Sequence, residues 1–310
     1  MIRKASDPRE PRKHFLLIAG IPGIGKSTLA LSAPRPLFID CDLNLDKVDP
    51  AHRMSDYIRP GNYQEILDDL KNADLSDYET IIIDTGGAMI DFMKRWLISN
   101  NSKNARRDGQ LSLQGYGALK NEFKRLGNYV IIELKKHLVM VCHSVEKKVK
   151  DDFVYRLDIE GSSDNSAWKT SDMAAFYHVN GNSRVLMFTP TEDHHAKGAY
   201  GISGPQVVPE LTPGIKNDYI TRLFQRAEKF NEKEDDQILA YITLMTEIKE
   251  MIAGADDLES INGILDQFGS INWLYEARKE AWTIFKERAE TLGYKYNREA
   301  KVFEGVPSGK

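Results

Sequence analysis

The stretch Gly20-Ile21-Pro22-Gly23-Ile24-Gly25-Lys26-Ser27 decides how this chain is read. It fits the pattern G-x-x-x-x-G-K-[ST]. The apolar run Phe15-Leu16-Leu17-Ile18-Ala19 precedes it, and the helix-like Ser27-Thr28-Leu29-Ala30-Leu31 follows. Strand, glycine loop and helix in that order form the context of a phosphate-binding loop. The glycines let backbone N–H groups turn inward around phosphate oxygens. The helix N-terminus adds partial positive charge. Lys26 is then placed to reach the β- and γ-phosphates, and Ser27 to offer its hydroxyl to Mg²⁺. The competing reading, an ordinary glycine-rich strand–helix turn, leaves these flanks unexplained.

Outward from this loop, apolar runs alternate with helical patterns. Strands are expected at 15–19, 36–41, 80–84 and 138–142, and helices at 26–32, 62–72, 87–99 and 115–136. Continuous apolar strands between helices indicate a buried, mostly parallel sheet, so the expected class is α/β. Shorter, more alternating runs near 153–158, 175–180 and 184–189 suggest an antiparallel extension. Residues 1–13 read as a polar, flexible lead, 14–228 as the ATPase core and 229–310 as a helical C-terminal domain. In that tail, Ile238, Tyr241, Ile242, Met245, Ile248, Met251 and Ile252 recur at helical spacing. Asp256 and Glu259 have capping-box spacing, and a third helix is expected from about Asn272 to Thr291, ending at Gly293.

Composition narrows the function classes. The chain has 310 residues and 41% hydrophobic content, enough for a substantial core. No apolar run approaches the roughly 18 residues of a membrane span. The charged start lacks a secretory signal, and Cys41 and Cys142 are too few for a disulfide framework. A cytoplasmic protein with no membrane partner is expected. The net charge of −4 excludes a generic polyanion binder. From Lys229 onward there are 11 basic and 16 acidic residues, so any nucleic-acid contact must come from local basic loops.

Asp84 ends the apolar strand Ile81-Ile82-Ile83, as a Walker B carboxylate that holds Mg²⁺ does; alone, such an aspartate more often caps a turn. Asp42 follows a strand at the carboxyl edge of the sheet, where open α/β folds bind ligands. It is either an acid that orients the attacking water or a solvated loop acid. His143, after 138–142, lands on the same edge, as a hydrogen-bond donor to the γ-phosphate or as a structural histidine. Two clusters are candidates for nucleic acid: Lys103, Arg106 and Arg107, and then Lys147, Lys148 and Lys150 with Phe153 and Tyr155 nearby. Basic groups pair with phosphates and aromatics stack bases, although each cluster alone also fits a solvated face. Lys197 is a third candidate. The neighbouring His194-His195 pair lacks partners at metal-ligand spacing.

Leu37-Phe38-Ile39-Asp40-Cys41-Asp42 resembles the RecA-type strand that ends at a catalytic glutamate. With Gly115-Tyr116-Gly117, the strand 138–142 plus His143, Ser171-Asp172, and Ala196-Lys197 before Gly201, the chain resembles the phage RecA-like ATPases of the Sak type over about residues 14–215. That resemblance implies a RecA-like P-loop fold and an ATP- and Mg²⁺-dependent ATPase in phage recombination or single-strand annealing. It implies a nucleotide loop of Gly20, Gly23, Gly25, Lys26, Ser27 and Thr28. Asp84 would be the Walker B acid, Asp42 the water-orienting acid and His143 the γ-phosphate sensor. Loops 99–114 and 145–170 would face single-stranded DNA, and Lys197 would reach a neighbouring subunit's nucleotide in a homo-oligomeric ring or filament. A single-stranded-DNA-binding protein or another recombination protein is a possible partner. Asp42 departs from the family by one methylene, which bears on hydrolysis but not on nucleotide binding. The rival functions are a small-molecule or nucleotide kinase and a nucleotide-switched adaptor for a replication protein.

Overall fold

Alternation along the first strand builds both layers of the core. In β1 (Phe15–Gly20) every residue is buried. Phe15, Leu17 and Ala19 enter one apolar layer, while Leu16 and Ile18 enter the other. The computed structural model describes residues 2, 4, 5, 7, 11–149, 152–159, 163–212 and 214–305. Two compact units emerge, one spanning Pro11–Phe230 and one that takes in Asn231 onward.

In the first unit, β1 is followed by α1 (Lys26–Ala30), β2 (Pro36–Asp40), β3 (Asp56–Ile58), α2 (Tyr63–Asn72), β4 (Thr80–Asp84), α3 (Gly86–Asn100) and α4 (Leu113–Asn128). Then come β5 (His137–Val149), β6 (Asp152–Leu157), α5 (Ser163–Thr170), β7 (Met173–Asn180), β8 (Ser183–Met187) and β9 (Pro205–Val208). The strand order is β3-β2-β4-β5-β1-β7-β8-β9. It is parallel from β3 through β7 and antiparallel from β7 to β9. This is the mostly parallel, RecA-like P-loop α/β architecture. Because β5 lies between β1 and β4, Gly20 and Asp84 come to the same carboxyl edge on either side of one strand.

Several expected boundaries move. The run at 175–180 was expected in an antiparallel extension, yet β7 pairs parallel with β1, and Met173 to Tyr177 are all buried, as an interior strand requires. The strand expected to stop at Cys142 runs on to Val149, its outer half pairing antiparallel with β6 as a two-stranded arm. The helix expected over 115–136 ends at Asn128 and passes into a π-helical turn, Tyr129–Glu133. Six of the 13 residues of the expected lead lie outside the described residues, and Arg12 is tied to Asp172 at 2.5 Å.

α6 (Tyr219–Ala253) carries the chain through both the observed unit boundary and the one expected at 228. The second unit adds α7 (Leu258–Phe268), α8 (Ala277–Thr291) and a hairpin of β10 (Tyr294–Asn297) and β11 (Val302–Gly305) that the sequence pattern did not announce. Its core gathers Met245, Ile248, Ile261, Phe268, Phe285 and Phe303. The capping pair is Asp257 with Ser260 rather than Asp256 with Glu259. Asp257 accepts from Ser260 N at 2.8 Å, and Ser260 Oγ accepts from Asp257 N at 3.1 Å. The third helix starts at Ala277, not near Asn272. Among the described residues no helix is long and apolar enough to cross a membrane.

Candidate nucleotide-binding site

The loop between β1 and α1 needs its glycines for two different reasons. A Cβ on Gly20 would stand 2.5 Å from the Tyr177 carbonyl oxygen of β7. Gly25, the residue before α1, has φ +97°, a left-handed conformation that side chains disfavour. The loop folds around the Lys26 ammonium, which is almost fully buried. Lys26 Nζ donates to the carbonyl oxygens of Gly20 (2.9 Å) and Ile21 (2.7 Å) and lies 3.2 Å from His143 Nδ1. Burial draws its pKa down to about 8, against the pull of Asp84. With Lys26 charged, His143 Nδ1 is the acceptor, so the ring proton sits on Nε2, free to donate elsewhere. Burial and the Lys26 cation lower the His143 pKa, which keeps the ring neutral at neutral pH.

Asp84 ends β4 beside this loop, fully buried. Neither carboxylate oxygen has a hydrogen-bond partner among the described residues. Burial pushes its pKa up to about 7, opposed by Ser27 and Lys26. Asp42 is the next acid along the edge. Its Oδ2 accepts from Thr85 Oγ1 at 3.2 Å, and its Oδ1 is buried without a partner among the described residues. Orphaned carboxylate oxygens beside a serine hydroxyl fit a hard cation such as Mg²⁺, which takes one or two protein carboxylates and completes its shell with phosphate and water. Among the described residues no group of three or more His, Cys, Asp or Glu side chains could hold a metal alone. Ser27 and Asp84 are the residues that would hold it.

Two cavities flank the loop. One, of about 360 Å³, is lined by Asp42, Thr85, Lys94, His143 and Asp158. The other, of about 250 Å³, lies past α1 and is lined by Thr28, Asp49, His52, Tyr177, Asn217 and Tyr219. Flat rings and a few polar groups suit a nucleoside. Asn217 Nδ2 also bonds the Thr28 carbonyl at 2.8 Å. This second cavity escaped the sequence reading because four separate segments build it.

His143 stands inside β5, not past a strand end, in register with Gly20. The backbone N–H of Asp158 holds its carbonyl at 2.8 Å. Lys103, Arg106 and Arg107 are all exposed, Lys103 in a 3₁₀ turn (Ser102–Asn104) and the two arginines on a short hairpin-like loop closed by the Ala105–Leu111 bridge. The loop follows α3, whose Trp96 Nε1 donates to Gln64 in the first turn of α2 at 2.9 Å. Lys147 and Lys148 were grouped as one cluster, but strand alternation sends them to opposite faces of the arm. Lys148 is paired with Phe153, which is exposed, whereas Lys147 is paired with buried Val154. Lys150 lies outside the described residues. Lys197 is remote from its own chain's P-loop. It bridges Ala174 near the start of β7, and its ammonium donates to the Ser171 carbonyl at 2.6 Å, at the opposite edge of the sheet. His194 is buried, stacked on Phe176 at 4.6 Å between centroids and bonded through Nδ1 to Asp193 at 2.9 Å.

The chain matches the family profile of an AAA domain over residues 12–200. No curated protein sequence matches it. Among solved structures it is similar to the flagellar accessory protein FlaH from Methanocaldococcus jannaschii. The TM-score is 0.32 at 13% identity, and the match covers 57% of this chain and 78% of that one.

Proposed function

Because the chain belongs to the AAA domain family, we propose that it is an Mg²⁺-dependent ATPase that acts on single-stranded DNA, in the recombination or annealing role that its sequence resemblance implies. The observation that carries this reading is the juxtaposition along β5. The strand brings His143 to the Lys26 ammonium and then continues as an arm bearing Lys148 and exposed Phe153 on one face. A cation beside an exposed aromatic ring suits an unpaired strand, whose phosphates and unstacked bases are both accessible. In the active site, Lys26 neutralises charge on the β- and γ-phosphates, Asp42 orients water, and His143 Nε2–H donates to the γ-phosphate. Mg²⁺ supplies charge neutralisation between the phosphates when bound by Ser27 and Asp84. Lys197, at the far edge of the sheet, acts in this reading only on the nucleotide of a second copy, so turnover depends on assembly.

The test is the ATPase rate against added single-stranded DNA, double-stranded DNA and RNA. Stimulation chiefly by single-stranded DNA supports the reading. Transfer of phosphate to a small acceptor without DNA would instead establish the kinase. Slow hydrolysis indifferent to every nucleic acid would favour the adaptor.

A further inference from the structure

The loop that carries Asp42 is held in a conformation its own residues do not favour. β2 ends at Asp40, whose side chain is 0% exposed. A carboxylate buried to that extent needs partners. One oxygen accepts from Asn44 N at 2.8 Å and Leu45 N at 3.4 Å, and the other accepts from Arg59 Nε at 3.0 Å. Arg59 follows β3, and its Nη2 also reaches Asp46 Oδ1 at 2.7 Å. These bonds pull residues 41–45 into a turn in which Leu43 takes φ +62°. A leucine pays for that left-handed backbone and gains little in return here, since it is 59% exposed. Such strain persists where the surroundings over-determine it. The residue it places is Asp42, for which the structure shows one side-chain hydrogen bond, from Thr85 Oγ1. The direction of the Asp42 carboxylate therefore depends on the backbone.

We propose that the Asp40–Arg59 ion pair and the left-handed turn at Leu43 form a clamp that aims the Asp42 carboxylate at the attacking water. Asp40 and Arg59 are positioning residues, acting through Asp42, and the proposal rests on the reading of Asp42 as the water-orienting acid. The clamp gives the short aspartate a fixed approach. The loop is held from two sides, by a buried carboxylate inside the sheet and by a guanidinium from the neighbouring strand.

The experiment compares Asp42→Asn, Arg59→Ala, Arg59→Lys and Leu43→Val in the full chain; valine, being β-branched, opposes the left-handed backbone that the turn needs. Each is measured for affinity for a non-hydrolysable Mg-ATP analogue, for kcat and KM, and for hydrogen exchange at the amides of Asn44 and Leu45. Arg59→Ala and Leu43→Val are expected to keep analogue affinity within about twofold and to lose kcat by about tenfold or more, as expected when only the transition state needs the group. In Arg59→Ala the two amides exchange faster, and Arg59→Lys recovers part of the rate. Combining Arg59→Ala with Asp42→Asn should add no further loss, because both act through one carboxylate. If Asp42→Asn abolishes turnover while Leu43→Val and a folded Arg59→Ala leave kcat unchanged, the clamp is overturned and the Asp42 reading stands. Additive losses, or losses confined to analogue affinity, also overturn the clamp. Unchanged turnover in Asp42→Asn overturns both. Should Arg59→Ala fail to fold, Leu43→Val, which disfavours the turn without touching the ion pair, decides alone.

Discussion

Replacing Asp84 by Asn should stabilise the ligand-free protein while disabling its site. Asp84 is fully buried, with no hydrogen-bond partner for either carboxylate oxygen among the described residues, and its pKa rises from 3.8 to about 7. A folded-state pKa above the unfolded value means that the folded chain keeps a proton the unfolded chain has released. Folding therefore carries a penalty that grows from about pH 4 and is complete above about pH 7. Integrated over those two values, the penalty is about 2 kcal/mol near pH 5 and about 4 kcal/mol near pH 8. The value of about 7 already contains the opposing pull of Ser27 and Lys26. Asn at this position does not titrate, so the advantage of Asp84→Asn should grow by about 2–3 kcal/mol between the two pH values. In a unit of this size that corresponds to about 5–10 °C in Tm. The assay is thermal unfolding of both proteins near pH 5 and pH 8, each with and without Mg-ADP. The parent should gain stability from Mg-ADP by mass action, and the variant should gain far less. An Asp84→Asn protein that is less stable than the parent near pH 8, or equally favoured at both pH values, would refute the argument that this carboxylate is a buried charge waiting for a cation.

The remaining predictions concern other parts of the chain. Lys26→Ala removes a charged donor worth about 1.5–3 kcal/mol, so Mg-ATP affinity measured by calorimetry should fall about 10- to 100-fold. Phe153→Ala and Arg106→Ala with Arg107→Ala should each weaken single-stranded DNA binding, but only the arginine pair should flatten its salt dependence in an anisotropy titration. His14 is buried, neither ring nitrogen has a hydrogen-bond partner among the described residues, and its pKa is lowered to about 4, chiefly by burial. It therefore contributes stability that is full above pH 6.5 and is lost as pH falls toward 4. Urea unfolding of His14→Leu should show a pH dependence shallower by about 2 kcal/mol between pH 7 and 5. Mixing Lys197→Ala with Lys26→Ala protein should restore turnover that neither shows alone, and a strictly monomeric active protein would exclude that arrangement.

The P-loop and four inner strands were legible because each strand is a continuous apolar run between helical patterns; Lys26 and Asp84 followed from two of those strand ends, and His143 from the end of an apolar run that the strand itself outlasts. The outer half of β5 was not, although its partner β6 was expected near 153–158. Glu146, Lys147 and Lys148 look like a solvated loop because all three are exposed although they alternate between faces, which removes the period-two signal. β3 and β9, at three and four residues, are too short for any period to show. The Asp40–Arg59 pair joins positions 19 residues apart with no local pattern to connect them. Asp40 and Asp42 read alike in sequence, and only the fold shows one spent on an ion pair and the other left facing the site. Lys197 could not be placed from its motif because pairing with Ala174 fixes its edge of the sheet.

β5 contains neither glycine nor proline along its 13 residues, from the sheet interior to the end of the arm. A continuous strand without a hinge residue behaves as a ruler. At about 3.3 Å per residue, Val149 stands about 20 Å beyond His143. Anything bound at the end of the arm would thereby be held at a set stand-off from His143 and the Lys26 ammonium beside it.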